Sequence, residues 1–523
     1  MEAIKLSNPS YFMRKILFIA LTFLSGAAMA QEPADALRYS MIGHGGSART
    51  RAIGGAVVSL GGDISAAAVN PAGLAFFKTS EFTFTPTLGF NKTKINYLSS
   101  ENSDKKTAFD ISNFGFILPK EGSVNGDWRN FTVGLGMNRR ANFNNRTTLK
   151  GNNNESSYSE KYLEELINKN VTNPNDAANN FPYGASLALN TYLIDTISGV
   201  GGTVAGYRSQ ATPQTGVIQQ QNVVTRGGIN DYFIAASGNY MDRLFVGGGI
   251  TFSQLKYERT STYRESDATN NKNNNFNYFE TQETLLTEGI GVGLNLGIIV
   301  RPIDQIRIGA TFHSPVFYNL EDLYTTTITT DVEGYQGQTS VLTQSSRDFN
   351  NGEAGEFQYD YTNPMRFMFG ISYIFQEVED VKKQRGFISA DVEFLNYGKS
   401  KFNTGSLTNG VNYLEEVNAA IKDQYRSAIN FRLGGELKFN TIMARLGYNY
   451  MGNAYQSTIL KGTQSSISGG LGYRDKGYFI DLTYVHRMVK DASFPYRLDN
   501  GFFAPGFVNG TNGNVVLTVG MKF

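Results

Sequence analysis

The residue types that most often carry catalysis are scarce in this chain of 523 residues, which has no Cys and three His. The three are His44, His313 and His486, whose spacing matches no local metal-binding motif. His313 and Ser314 are neighbours on a predicted strand, so their side chains point to opposite faces and cannot pair as base and nucleophile. The sequence therefore predicts no catalytic site, no metal site and no cofactor. A barrel phospholipase or protease is the enzymatic alternative.

A glycine series suggests phosphate binding as a second chemistry. Gly289, Gly291 and Gly293 have the Gly-x-Gly spacing, but they lie inside a predicted strand and precede no helix that would receive a phosphate. We expect these glycines instead to leave room in the interior of the protein for another segment.

Arginine offers a third chemistry, the binding of a carboxylate head group through two parallel hydrogen bonds. Candidate contacts on the polar face of predicted strands are Arg307, Arg432 and Arg445, together with Arg487. The same face carries carboxylates, namely Asp391, Glu393, Glu436 and Asp481. A structural network of ion pairs is therefore the alternative interpretation.

The strands that hold these side chains have one apolar and one polar face. Ile429, Phe431 and Leu433 alternate with Asn430 and Arg432. A period of two with this division is typical of a strand between lipid and a polar interior. The pattern recurs in about fourteen segments and predicts an all-β fold, a transmembrane antiparallel β-barrel.

The links between these strands are short on one side and long on the other, as outer-membrane barrels require. Tight links are predicted at Asp242, Ile303, Asn440 and Lys476. The insertions 150–228 and 405–426 are long and contain helix-like patterns, which predict short helices in extracellular loops.

One loop carries apolar residues at helical spacing, which are Leu163, Leu166, Ile167, Leu187, Tyr192 and Leu193. An exposed helix this apolar is either packed on its neighbour or a landing surface for substrate. We favour mutual packing, with the groove between the helices as the functional surface.

Both ends of the sequence carry export signals. Basic residues, an apolar run and the small-residue site Ala28-Met29-Ala30 predict a signal peptide over residues 1–30, with Met1 or Met13 as the start. The last strand ends on Phe523 and resembles the signal read by the barrel-assembly machinery. We expect the outer membrane of a Gram-negative bacterium, with its lipid and this machinery as partners.

Composition excludes several other classes. A formal charge of +1 does not provide the excess of positive charge that is typical of nucleic-acid-binding proteins. No later apolar stretch is long enough for a transmembrane helix, and 37 Phe and 29 Tyr suit the aromatic girdles of a barrel. We expect a monomer.

Residues 31–78, before the barrel 79–523, are rich in small residues and contain Asn70, Pro71, Ala72 and Gly73. By itself Asn-Pro initiates a turn. The motif resembles the N-terminal hatch of the FadL-type family of outer-membrane transporters for long-chain fatty acids and aromatic hydrocarbons. Later phrases such as 309–315 and 445–448 are similar to that family.

The resemblance implies that hydrophobic compounds, such as long-chain fatty acids or similar amphiphiles, diffuse through a barrel gated by the hatch at residues 70–73. It also implies lateral release at a kinked third strand, for which Gly134 and Gly136 are the kink candidates. A generic porin and a structural or adhesive barrel are the alternatives. The sequence leaves open which compound is carried and whether release is lateral or periplasmic.

Overall fold

Strands make up most of the structure, a computed structural model that describes residues 32–523 except 42, 44, 124–125, 270, 376–384, 405–410 and 458–459. The predicted signal peptide and His44 lie outside the described residues. The strands are β1 Glu81–Tyr97, β2 Ser100–Glu121, β3 Trp128–Asn142, β4 Asn145–Asn153, β5 Ile194–Ser198, β6 Val204–Ser209, β7 Val217–Tyr240, β8 Leu244–Asp267, β9 Tyr278–Ile303, β10 Ile306–His313, β11 Phe317–Asp331, β12 Leu342–Ser345, β13 Gly355–Thr362, β14 Arg366–Phe375, β15 Gly386–Asn396, β16 Lys401–Asn403, β17 Ser427–Phe439, β18 Ile442–Met451, β19 Gln464–Asp475, β20 Tyr478–Ser493 and β21 Gly506–Lys522. The helices are α1 Pro33–Ser40, α2 Ala48–Ala52, α3 Ile64–Val69, α4 Glu160–Asn168, α5 Pro174–Asn179, α6 Ala185–Asn190 and α7 Val411–Gln424, and Pro71–Phe76 is a 3-10 helix.

The main sheet closes on itself. β1 pairs antiparallel with β2 on one side and with β21 on the other. Four positions in the wall are each shared by consecutive strands, namely β3 with β4, β10 with β11, β12 with β13 and β14, and β15 with β16. Counted in this way, the described wall has 14 strands, so the predicted all-β transmembrane barrel is confirmed.

Several of these interruptions follow from residues that cannot continue a ladder. Pro315 separates β10 from β11 and Pro364 separates β13 from β14. Proline has no backbone N–H to donate, so the ladder stops there. The chain segments at the two breaks are hydrogen-bonded to each other, since Val316 N donates to Asn363 Oδ1 at 2.6 Å.

The wall is apolar outside and polar inside. On β17, the outward Ile429 and Leu433 are 57% and 42% exposed, whereas the inward Asn430 and Arg432 are buried. A barrel with lipid outside and a polar lumen inside requires apolar residues on its outer face and polar residues on its inner face. Within the described part of the chain, none of the helices is long and apolar enough to cross a membrane.

The two ends of the barrel differ. Tight turns at 241–243, 304–305, 440–441 and 476–477 share one end with Ser80, whose carbonyl accepts from Phe523 N at 3.0 Å. Short turns mark the periplasmic side. The opposite, extracellular end carries α4 to α6, the β5–β6 hairpin and α7. Because β4 and β7 extend the wall upward, the first long link covers 154–216 and is shorter than the predicted 150–228.

Candidate functional site

The N-terminal segment, residues 32–78, is bound to the inner face of the wall on several sides. Ala48 N donates to Thr518 Oγ1 on β21 at 2.7 Å, and Thr483 Oγ1 on β20 donates to Ala48 O at 2.8 Å. On β15, Asp391 Oδ2 accepts from Val58 N at 3.0 Å. The segment therefore crosses the lumen between distant strands.

Asn70 joins this segment both to itself and to the wall. Its side chain is fully buried, and Nδ2 donates to Val58 O at 2.7 Å and to Ile298 O on β9 at 3.3 Å. Its Oδ1 accepts from Ala72 N at 3.1 Å and so caps the 3-10 helix that Pro71 begins. The predicted motif thus fixes a turn at the contact between the segment and the barrel.

Glycines line the wall where this segment touches it. They include Gly247, Gly297, Gly309, Gly434 and Gly447, and a Cβ at each would overlap atoms of the N-terminal segment. At Gly297 the obstacle is the Asn70 side chain, and at Gly309 it is the Val58 carbonyl. Any other residue type would hold the segment away from the wall, so these glycines shape its seat.

The predicted role of Gly289, Gly291 and Gly293 is wrong. A Cβ at these positions would meet residues of the neighbouring wall strand, chiefly Tyr318 and Val316, and not the N-terminal segment. The space that they leave is filled by β11 because its inward aromatic side chain leans across β9.

The wall is interrupted between β2 and β3. Their backbone ladder runs from Glu121↔Asn130 only as far as Asn113↔Asn138. Beyond that level β3 bulges against β7 at Arg140, and the chain continues as β4, which pairs with β7 but not with β2. We call this place the wall break.

The bend of this strand lies at residues 139–144 and not at the predicted Gly134 and Gly136. Both glycines pair regularly with β2 and with β7. Gly134 instead accommodates Leu74 of the N-terminal segment, which would touch a Cβ there at 3.0 Å. The glycines therefore provide space for packing, and the bulge provides the bend.

Side chains replace the missing ladder above the wall break. Asn91 Nδ2 on β1 donates to Asn144 O at 2.6 Å, and Thr148 N on β4 donates to Asp104 Oδ2 on β2 at 2.6 Å. Asn142 Nδ2 donates to Asp110 Oδ2 at 2.7 Å. Because Asn91 and Asp104 face inward, β4 lies across the inner face of β1 and β2.

The N-terminal segment is seated against the wall break. Gly43 N donates to Arg140 O at 2.8 Å, just beyond the last β2–β3 pair. A Cβ on Gly43 would lie 2.9 Å from the same carbonyl. The segment thus takes up part of the edge of β3 that β2 leaves open.

Higher in the lumen, α1 fills an apolar chamber. Leu37 and Tyr39 of α1 are buried in one cluster with aromatic residues of β8, β11, β13 and β16 and with α7. The cluster includes Tyr257, Tyr318, Tyr359, Tyr361, Phe402, Leu414, Val417 and Ile421. The Tyr361 hydroxyl donates to Ala36 O at 2.9 Å and lies 2.7 Å from Ser40 Oγ. The chamber is therefore built around an apolar helix.

Sequence reasoning did not identify α1 or its chamber. Pro33 at the first helical position and Asp35 in the first turn are signals of a helix start that the analysis could have used. The chamber itself had no local signal, since its residues come from many separate parts of the chain, from Ala36 to Ala454.

The loop residues predicted as a landing surface are mostly buried. Leu166, Leu187 and Leu193 are fully buried in one cluster, whereas Leu163 and Tyr192 are half-buried and Ile167 is 63% exposed. Glu265 on β8 anchors the loop by accepting from Tyr158 N at 2.7 Å. Five of the six side chains therefore contribute to packing within the loop region.

The three predicted carboxylate contacts already have partners. Arg432 forms an ion pair with Glu393, and Arg445 Nε lies 2.6 Å from Glu436 Oε2 while its Nη1 reaches Asp481. Arg307 packs over the Phe76 ring, 4.5 Å from Cζ to the ring centroid. The structure thus shows the ion-pair network that the sequence offered as the alternative.

His313 and Ser314 are held apart. His313 Nε2 lies 2.7 Å from Val69 O, and Nδ1 lies 3.1 Å from Arg366 Nη2. Ser314 Oγ donates to Pro315 O at 2.8 Å on the other side of the strand. Neither side chain is placed to activate the other.

Comparison with known proteins identifies the fold. No family model and no curated protein matches the sequence. Among solved structures, a FadL homologue from Pseudomonas aeruginosa has a TM-score of 0.56 at 13% identity, covering 92% of this chain and 100% of that chain. The toluene transporters TodX of P. putida (TM-score 0.48, 14% identity, 92% and 99% covered) and TbuX of Ralstonia pickettii (0.46, 14%, 92% and 98%) score lower.

A closed wall with an apolar outer face and a polar lumen defines a β-barrel of the outer membrane. Its particular fold is that of the FadL-type channels, as the sequence resemblance predicted.

Proposed function

We propose that the protein takes up hydrophobic compounds of the amphiphile type by diffusion through a barrel in which the N-terminal segment acts as a hatch. The observation that carries this proposal is the wall break with the N-terminal segment seated against it. A diffusion porin or a purely structural barrel has no need for an interrupted ladder within its wall.

The path starts in the apolar chamber. An alkyl chain gains about 0.8 kcal/mol for each CH₂ that leaves water, so a chamber lined by aromatic and aliphatic side chains retains it. In this structure Leu37 and Tyr39 occupy that space. An entering amphiphile competes with α1, and its binding favours movement of the N-terminal segment.

The path continues past the hatch to the wall break. Movement of Gly43 away from Arg140 uncovers the edge of β3, and release is then sideways into the outer leaflet. The P. aeruginosa neighbour is described as a FadL homologue and two others as toluene transporters, which agrees with a hydrophobic cargo.

A disulfide between the hatch and the wall tests the proposal, and the chain has no native Cys to interfere. Ala48 and Thr518 are chosen because the 2.7 Å hydrogen bond from Ala48 N to Thr518 Oγ1 brings the N-terminal segment and β21 into direct contact. The double variant Ala48→Cys/Thr518→Cys is expressed in Gram-negative cells that lack their own transporter. Uptake of a labelled long-chain fatty acid and of an aromatic hydrocarbon is then measured, once with the cysteine pair oxidised and once with it reduced.

Hatch-gated transport predicts that the wild type raises uptake of at least one compound, that oxidation of the double variant abolishes it, and that reduction restores it. The two single-cysteine variants serve as controls for the substitutions themselves. Unchanged uptake by the oxidised, folded barrel would contradict gating by α2. No uptake of either compound by the wild type would favour a structural or adhesive barrel.

A further inference from the structure

A polar cavity lies between the N-terminal segment and the wall at the level of the wall break. Its volume is about 80 Å³. Its lining includes Arg51 of α2, Arg487 of β20, Asp110 and Ser112 of β2, Thr87 of β1 and Asn514 of β21. It also includes Arg139 and Arg140 at the bend of β3.

The last two arginines are already engaged. Arg139 Nη2 donates to Gly227 O at 2.8 Å. Arg140 donates to the Tyr318 hydroxyl, and its Nε lies 3.5 Å from Asp231 Oδ2. These interactions fix both guanidinium groups at the rim of the cavity.

Arg51 and Arg487 lack comparable partners. Arg51 is 8% exposed, and its Nη1 reaches only Ser112 Oγ at 3.3 Å and Thr87 Oγ1 at 3.5 Å. The Nε atoms of both arginines are buried without an acceptor. Burial lowers the pKa of Arg51 to about 10, with Asp110 acting in the opposite direction, so the group still carries its charge at neutral pH.

The single carboxylate in the lining does not neutralise this charge. Asp110 accepts from Asn142 Nδ2 at 2.7 Å and lies 4.0 Å from Arg139 Nε. Among the described residues, no carboxylate oxygen lies within ion-pair distance of Arg51 or Arg487. A buried cation without a counter-charge is costly, and the cost falls when an anion enters.

We propose that Arg51 and Arg487 bind the anionic head group, a carboxylate or a phosphate, of a single-chain amphiphile whose alkyl chain passes through the wall break. This inference rests on the proposed function and adds the class of its cargo. The guanidinium fork suits both oxyanions because it presents parallel donors to two oxygens.

The outer surface beside the wall break fits the alkyl chain. Leu88 and Phe109 are paired across β1 and β2 and are 38% and 68% exposed on the lipid-facing side. Phe90, one step higher, is 45% exposed, and the next outward residues on β1 are Lys92 and Lys94. The apolar outer band of the barrel therefore ends at this level, and a polar zone begins above it. At such a boundary the alkyl chain of an amphiphile lies in the lipid while its head group stays in polar surroundings.

The same cavity discriminates against neutral hydrocarbons. A toluene-like molecule offers no acceptor to either guanidinium, so entering this cavity would displace water from two charges without replacing its hydrogen bonds. The preference for anions is thus a prediction about this chain's own arginines.

Equilibrium dialysis of the purified full-length protein in non-ionic detergent tests the proposal with labelled dodecanoate, dodecyl phosphate and dodecanol. The wild type should bind at least one anion more tightly than dodecanol. Arg51→Gln and Arg487→Gln should each weaken that anion about tenfold and leave dodecanol unchanged. Asp110→Asn should strengthen anion binding, a gain that damage to the fold would not produce.

Arg264→Gln is the matched control, because this arginine lies at the extracellular end of β8 with its side chain 43% exposed and should affect none of the probes. Tighter binding of dodecanoate or of dodecyl phosphate identifies the head group as carboxylate or phosphate. Equal affinity for all three probes, or anion binding that survives both arginine variants, would overturn the proposal. Since dialysis requires no transport, failed uptake with normal anion selectivity would overturn only the proposed function.

Discussion

Two groups of arginines face the same lumen in different surroundings. On β17 and β18, Arg432 and Arg445 lie against Glu393, Glu436 and Asp481. On the side of the wall break, Arg51 and Arg487 line a cavity with hydroxyl and amide groups and a single carboxylate, Asp110, which forms no ion pair with either of them. The comparison teaches that an inward arginine is structural where a neighbouring strand supplies a carboxylate, and is available to a ligand where it does not.

Strand register creates this difference. Glu436 and Arg445 are direct partners across β17 and β18, and Gly472 on β19 leaves the space through which Arg445 reaches Asp481. Arg487 is paired instead with Asn512 on β21 and Ser466 on β19. A shift of one residue in either ladder would exchange the inward and outward sets.

The largest expected effect comes from breaking the compensated group. Arg445→Leu should lower the free energy of unfolding by about 3–5 kcal/mol, because it removes the cation that two buried carboxylates share and leaves Glu436 only Arg49, at 3.3 Å, and Asp481 only Arg474, at 3.9 Å. Urea unfolding of the folded barrel in lipid vesicles measures the change, with the exposed Arg264→Leu as control. A loss below about 1 kcal/mol would mean that water or other cations compensate Glu436 and Asp481.

An intermediate effect is expected where the N-terminal segment meets the wall. Gly297→Ala places a methyl group in the position of the Asn70 side chain, and overpacking of this kind costs about 1–3 kcal/mol. We expect the N-terminal segment to shift and the ion conductance of the barrel in planar bilayers to rise.

Gly469→Ala is the matched control for that variant, since its Cβ would lie 3.4 Å from Leu446, an ordinary contact away from the N-terminal segment. Equal conductance of both variants and the wild type would show that the seat of Asn70 is not what closes the lumen.

The smallest effect is expected in the uncompensated group. Arg487→Met removes a charge that has no carboxylate partner, so the free energy of unfolding should stay within about 1 kcal/mol of the wild type or increase. Measured beside Arg445→Leu in the same vesicles, it sharpens the contrast between the two groups. A loss above about 2 kcal/mol would show that Arg487 supports the wall and would place it with Arg432 and Arg445.

Much of the fold was predictable because the alternation of apolar and polar residues within one strand identifies its lipid face and its lumen face. Ile429 marks the lipid face and Arg432 the lumen face of the same strand, and the short links at Asn440 and Lys476 mark the periplasmic end. The motif at Asn70 was found for a similar reason, since Asn-Pro has a defined turn preference. Gly134 and Gly136 misled the kink prediction because a glycine in a strand marks either a bend or a close neighbour; here the neighbour is Leu74 at Gly134 and the wall residues Phe114 and Phe233 at Gly136.

The sequence alone determined the barrel, its orientation and the presence of an N-terminal segment of small residues, because alternation, link length and composition are properties of consecutive residues. Only the tertiary structure decided which arginines are paired, where the ladder between β2 and β3 ends, and that α1 fills the chamber. These features depend on residues hundreds of positions apart, such as Arg51 and Arg487, whose proximity is set by how the wall closes around the N-terminal segment.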